Sequence, residues 1–233
     1  MKPTLMRRAV AEFVGTLLLL AAVVGSGIMG DRLAGGSVAI ALLANTLATG
    51  AALIAIILAF GPISGAHLNP AVTLADAWIG GMPWSETPLY ILAQTSGAVA
   101  GVAVAHLMFG LAVFSVSAHA RSGPAQVFSE FIATFGLLAV IWGCVRSRPA
   151  AVPFAVGAYI TGAYWFTAST SFANPAVTVA RSFTNTFTGI RPVDAPWFVV
   201  AEFAGAFAAT LLFEWLVPRL LVSPPQVLMK QDE

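Results

Sequence analysis

Charge is scarce in this sequence: 9% of its 233 residues are Asp, Glu, Lys or Arg, against roughly 25% in a typical soluble domain. A soluble chain of this size needs those charges to cover its surface, so their scarcity excludes an ordinary water-soluble fold. The hydrophobic fraction of 58% and the mean hydropathy of +0.87 point to a surface built for lipid. A net charge of +1 with no run of Lys or Arg excludes a basic nucleic-acid binder. The single cysteine, Cys144, rules out a disulfide framework, and no Cys/His cluster offers a metal site. Cys144 reads as a small buried packing residue. His67, His106 and His119 stand in no recognisable nucleophile arrangement, so neither catalysis nor a cofactor is expected.

What the chain has instead is apolar length. A bilayer core takes roughly 20 apolar residues per helix, and six segments qualify: about 9–30, 38–60, 87–112, 125–146, 150–168 and 196–217. The first follows basic residues, as a cleavable signal would. Its run continues to about Met29 without a small-residue cleavage site, so it is expected to span. Six crossings put both termini on one side. The termini and even-numbered loops hold Lys2, Arg7, Arg8, Arg146, Arg148, Arg219 and Lys230, against Arg32, Arg121, Arg181 and Arg191 in the other loops. This bias places both termini in the cytoplasm.

The sequence is also duplicated. The string 11-AEFVGTLLLLAAV-23 is echoed by 129-SEFIATFGLLAVI-141, and 93-AQTSGAVAG-101 by 201-AEFAGAFAA-209. Each half holds three crossings, an odd number, so equivalent parts enter from opposite faces and the repeat is inverted. The halves are approximately 1–118 and 119–223 of a single domain, with a flexible tail expected over 224–233.

Between the echoed pairs lie 67-HLNPAVTLADAW-78 and 172-FANPAVTVARSF-183. Asn is a favoured helix N-cap, and Pro in the first turn forfeits only an amide hydrogen that had no partner. Asn69-Pro70-Ala71 and Asn174-Pro175-Ala176 therefore start helices, each about 9 residues or roughly 14 Å long, half a bilayer core. Inverted symmetry brings the two capped N-termini together near the midplane. The stretches before them, carrying Gly65, Ala66, His67 and Leu68 and carrying Thr170, Phe172 and Ala173, run in as non-helical backbone. Lipid cannot satisfy such backbone, so these carbonyls are expected to line a pore. Each helix N-terminus carries roughly half a positive charge, which repels cations from the pore centre. The expected fold is all-α: six transmembrane helices plus two re-entrant half-helices.

These two Asn-Pro-Ala strings, the A-E-F-x-G-T of the first segment, the S-G-A-H-x-N-P-A-V-T of the first re-entrant stretch and the inverted repeat resemble the aquaporin and aquaglyceroporin channels, the major intrinsic proteins. The likeness covers nearly the whole chain. It implies a homotetramer with a pore in every protomer and a place in a bacterial inner membrane. It also implies that Glu12 and Glu130, at equivalent positions of the two halves, anchor the re-entrant loops through backbone hydrogen bonds. His67 is expected to pack the loop rather than gate it.

One departure bears on the solute. Many family members read N-P-A-R in the second loop and use that Arg in a narrow outer constriction, whereas this chain has Val177. By the same likeness Thr49 and Ser171 take two further constriction positions. The fourth is open: ungapped counting gives Gly162, and aligning Gly157 with the family's helix glycine gives Tyr164. Arg181 lies seven residues after Asn174, as Asp76 follows Asn69, and is expected near the outer surface rather than in the filter. The expected function is passive conduction of small neutral solutes, glycerol-like polyols, and water. The string 164-YWFTASTSFANPAV-177 resembles a bacterial subgroup associated with arsenic handling, which adds arsenite as its neutral triol. The alternatives are a mainly water-selective channel and a coupled transporter. The transporter is disfavoured because Glu12, Glu130, Glu202 and Glu214 adjoin neither Asn-Pro-Ala string, and Gln94 matches Glu202 in the other half.

Overall fold

The computed structural model describes residues 3–217. The tail at 224–233 and the charges Lys2, Arg219 and Lys230 lie outside the described residues. Eight α-helices follow in order: α1 Leu5–Leu33, α2 Val38–Ser64, α3 Pro70–Trp78, α4 Thr87–Met108, α5 Pro124–Ser147, α6 Val152–Phe166, α7 Pro175–Arg181 and α8 Ala195–Leu216. Among the described residues there is no strand. Helices α1, α2, α4, α5 and α8 are long and apolar enough to cross a membrane.

The sixth expected span, at 150–168, is shorter than the others. Helix α6 has 15 residues and is preceded by a single 3-10 turn, Pro149–Ala151. At 1.5 Å per α-residue and about 2 Å per 3-10 residue the pair reaches roughly 28 Å, close to a bilayer core. Pro149 and Pro153 each fall in the first turn of their helix, where a missing amide hydrogen costs nothing.

Pairing follows the repeat. α1 packs on α4 and α5 on α8, and α2 meets α6 across the two halves. The first two pairs approach at small residues. A Cβ on Gly97 or Gly101 would collide with the carbonyl oxygens of Phe13 or Leu17 on α1, and one on Gly205 with that of Phe131 on α5. Small residues let helix backbones come close where lipid gives no hydrophobic drive to association. The outward faces carry large exposed apolar side chains, among them Leu33, Val38, Leu92, Trp197 and Trp215, as lipid contact requires. Cys144 is half-buried on α5.

Each half interrupts its bundle with a short helix. α2 ends at Gly65, whose φ of 92° closes the helix in the left-handed region that glycine enters freely. The chain then runs without helix to Asn69 and starts α3, and α6 is followed in the same way by a stretch to Asn174 and α7. Helices α3 and α7 touch. This is the aquaporin-like fold, six crossings and two re-entrant half-helices.

Candidate pore

The Asn-Pro pairs form as the sequence requires. Asn69 Oδ1 accepts from the Ala71 amide at 2.9 Å, and Asn174 Oδ1 from Ala176 at 3.0 Å and Val177 at 3.3 Å. Each side chain then reaches across to the other loop: Asn69 Nδ2 donates to the Ala173 carbonyl at 2.8 Å, and Asn174 Nδ2 donates to the Leu68 carbonyl at 2.8 Å. These crossed bonds lock the two N-termini against each other. An Asn amide has two hydrogens, so each Nδ2 keeps one. Pro70, Ala71, Pro175 and Ala176 are buried and start the half-helices rather than lining the cavity.

The loops feeding these caps are strained. Ala66, Leu68, Thr170, Ser171 and Ala173 have φ between 47° and 64°, a region that costs an L-residue roughly 1–2 kcal/mol. Buried carboxylates hold them there. Glu12, fully buried, accepts from the His67 amide at 3.0 Å, the Leu68 amide at 2.6 Å, Ser64 Oγ at 2.6 Å and Gln94 Nε2 at 2.8 Å. Glu130 accepts from the Phe172 and Ala173 amides at 2.9 and 2.7 Å. With their amides turned to these carboxylates, the loops present other backbone to a single cavity of about 1050 Å³, open mouths included, lined by Gly65, Ala66, His67 and Leu68 from one loop and Ser171, Phe172 and Ala173 from the other. Thr170 departs from the expected series: it does not line the cavity, and its hydroxyl is turned back toward Arg121 Nη1 at 3.4 Å.

The opposite wall is aliphatic. Leu53 and Ile57 of α2, Leu137 and Ile141 of α5, and Val152, Val156 and Ile160 of α6 face the same cavity. The α6 residues recur every four positions, one face of a helix. Tyr164 continues that face and lines the cavity, its hydroxyl 3.4 Å from Thr49 Oγ1. Gly162 does not: it is exposed on the outer side of α6, with nothing within 4 Å of where a Cβ would sit. Two residues from Ile160 is about 200° around the helix, so Gly162 turns away from the cavity. Thr49, Tyr164, Ser171 and Val177 all line this cavity.

Arg181 departs from expectation most. It is 2% exposed and lines the cavity. Its guanidinium lies 3.4 Å from the centre of the Phe172 ring, and its Nε donates to the Thr188 carbonyl. Positions 174, 177 and 181 follow the i, i+3, i+7 spacing of one helix face, and the mirror trio Asn69, Val72 and Asp76 lines the cavity in the other half. That spacing was the available signal. Asp76 stands at the other mouth, 3.7 Å from His67 Nε2, and His67 Nδ1 is 3.2 Å from Thr73 Oγ1.

Arg121, in the loop before α5, is also buried. It donates to the carbonyls of Ser169 at 3.0 Å and Gly189 at 2.8 Å, pinning the second loop from outside. Burial pushes its guanidinium down to about 10, with Glu130 and Tyr164 acting the other way, so it stays a cation at neutral pH. Burial also lowers the His119 ring below its ordinary value, helped by Arg121 and Arg181. No group of three or more His, Cys, Asp or Glu residues suited to a metal ion occurs among the described residues.

An inverted repeat with two crossed, Asn-capped half-helices beside an amphipathic cavity defines a membrane channel, and the chain belongs to the major intrinsic proteins, the family of channels for water and small solutes. The profile of that family, described as major intrinsic protein, matches residues 1–161. The chain is 57% identical over 213 residues to aquaglyceroporin AqpS of Rhizobium meliloti (strain 1021), covering 91% of each. It is 34% identical to aquaporin NIP1-4 of Oryza sativa subsp. japonica, over 88% of this chain and 75% of that one. Among solved structures, the X-ray structure of the aquaglyceroporin from Plasmodium falciparum shares the fold, with a TM-score of 0.73 at 21% identity over 92% of this chain and 98% of that one.

Proposed function

We propose that the cavity is a passive pore for small uncharged solutes larger than water, glycerol-like polyols and arsenite as its neutral triol among them, with water also conducted. The observation that carries this reading is that Thr49, Tyr164, Ser171 and Val177 all line the cavity and none of the four brings a cation; they form the ring that selects. A polyol presents carbon on one side and hydroxyls on the other. The aliphatic faces of α2, α5 and α6 suit its carbons, while the loop carbonyls and the free amide hydrogens of Asn69 and Asn174 suit its hydroxyls. The 57% identity to a protein named an aquaglyceroporin supports the same class of solute. Both termini face the cytoplasm of a bacterial plasma membrane, and the protein is a homotetramer with one pore per protomer.

The test is transport of water, glycerol and arsenite by wild type and Val177→Arg in matched proteoliposomes. Shrinkage in hyperosmotic impermeant sugar reports water, and reswelling in glycerol reports solute entry. Val177→Arg is expected to lower the glycerol-to-water and arsenite-to-water ratios by about tenfold, as a charged, longer side chain narrows the ring. An unchanged ratio means that the ring does not select.

A further inference from the structure

Val177 leaves the ring without a fixed charge, yet a cation stands one turn away. Arg181 is four residues after Val177 on the same face of α7, about 6 Å further along the helix axis. Helical side chains lean toward the N-terminus, so a long side chain at 181 leans back toward the level of 177, while the valine there is too short to obstruct it. Two contacts hold it in place: the Phe172 ring under the guanidinium and the Thr188 carbonyl on Nε. Phe172 is fixed in turn by Glu130 through its amide.

The guanidinium is not fully used by these contacts. Arg181 Nη1 is buried and has no hydrogen-bond partner, and neither has Ser171 Oγ, which lines the same cavity. An unpaired buried donor on a charged group is costly, more than the roughly 1–3 kcal/mol of a neutral one, and a water or solute oxygen in the pore relieves that cost. The charged and titratable groups that act on Arg181 are Arg121, Glu130, Glu202 and Tyr164. Glu130 is engaged by two loop amides and Glu202 by Thr178 Oγ1. Among the described residues no carboxylate makes an ion pair with Arg181.

We propose that Arg181 is the specificity-determining residue of this mouth: a fixed cation that bars protons and metal cations, and a donor that, with Ser171 Oγ, takes the oxygens of an entering neutral solute. The cavity then has an acidic residue, Asp76, toward one mouth and a basic one, Arg181, at the symmetry-related place in the other. This rests on the cavity being the conducting path, as argued above, and it returns to the mouth much of the cation barrier otherwise left to the half-helix dipoles.

The experiment reconstitutes full-length wild type, Arg181→Lys, Arg181→Gln, Arg181→Met and the double variant Val177→Arg/Arg181→Met. Water and glycerol permeability are read by light scattering. Proton leak is read with a trapped pH dye under a valinomycin-imposed potential and normalised to water permeability. Wild type and the Lys variant keep a low leak, whereas the Gln and Met variants raise it at least about tenfold, the scale of one unscreened charge at short range. The double variant, which returns a cation one turn earlier, brings the leak back down. The Met variant also loses about threefold or more in the glycerol-to-water ratio, one hydrogen bond's worth. A Met variant that conducts water with wild-type leak and wild-type ratio overturns the proposal. If the Met variant does not fold, wild-type leak in the Gln variant overturns it equally. Wild-type vesicles that pass neither water nor glycerol refute the channel reading instead.

Discussion

Removing the Glu12 carboxylate is expected to collapse the first re-entrant loop. In Glu12→Ala four donors lose their acceptor together: the His67 and Leu68 amides, Ser64 Oγ and Gln94 Nε2. Gln94 keeps Thr73 Oγ1 at 2.8 Å, and Ser64 can rotate toward other oxygens. The two amides cannot move without unwinding residues already held at positive φ. Charge-assisted bonds are worth about 1.5–3 kcal/mol each, so the two amides alone put the loss at about 3–6 kcal/mol. For a chain of this size that is a fall of roughly 6–24 °C in melting temperature. Glu12→Gln separates charge from shape. Its amide must face either the pair His67 and Ser64 or the pair Leu68 and Gln94 with a donor. Gln94 Oε1 has no partner, so Gln94 can flip to meet that donor, which leaves one backbone amide orphaned and about half the loss. The assay is intrinsic-fluorescence melting in detergent, with stopped-flow water permeability in vesicles. Wild-type melting and permeability in Glu12→Ala would refute the anchoring argument, and equal losses in Ala and Gln would refute the division between charge and shape.

Three further outcomes follow from the same contacts. Gly97→Val drives a side chain into the Phe13 carbonyl across the α1–α4 contact and should cost about 3 kcal/mol or more, seen as a lower melting temperature and loss of the monodisperse peak in detergent chromatography. Glu202→Gln should shift the melting temperature by less than about 4 °C: the amide oxygen can still accept from Thr178 Oγ1, the neutral amide removes a like charge beside Glu130, and Gln94 fills the matching place in the first half. Asp194 gives a pH dependence. Burial works to raise its carboxyl, but the Arg191 side chain and the Arg121 amide outweigh burial and hold it below its ordinary value. A depressed carboxylate stabilises the fold above its unfolded value of about 3.9 and loses that contribution as pH falls through the folded value, so acid melting below about pH 4 should be shallower in Asp194→Asn than in wild type.

The parts legible in the sequence were those set by local chemistry and symmetry. Asn before Pro after a long apolar run specifies a capped half-helix wherever it falls, and its repetition in an odd-numbered duplicate specifies opposed insertion. The positions of Glu12 and Glu130 came with the same duplication. What failed depended on rotation about a helix axis. Gly162 and Tyr164 differ by two residues, about 200° around the helix, and the choice between them turned on the length of the stretch from α6 to Asn174, which counting along the sequence left open. Axial distance from Asn174 sets Arg181 near the outer surface, whereas seven residues bring a side chain back to the same helix face, and Arg181 lines the cavity. Arg121 gave no signal, because its bonds to the Ser169 and Gly189 carbonyls join segments far apart in the chain.

The central claim is that one amphipathic cavity, flanked at its middle by the crossed bonds of Asn69 and Asn174, passes neutral molecules and no charge. Its most direct test is glycerol reswelling of wild-type proteoliposomes with proton and sodium gradients collapsed by electroneutral ionophores, measured alongside the electrical conductance of ionophore-free membranes from the same preparation. The account predicts reswelling well above that of empty vesicles, unaffected by the ionophores and without detectable ion current. Reswelling no faster than in empty vesicles, or flux that vanishes when the gradients are removed, would contradict it.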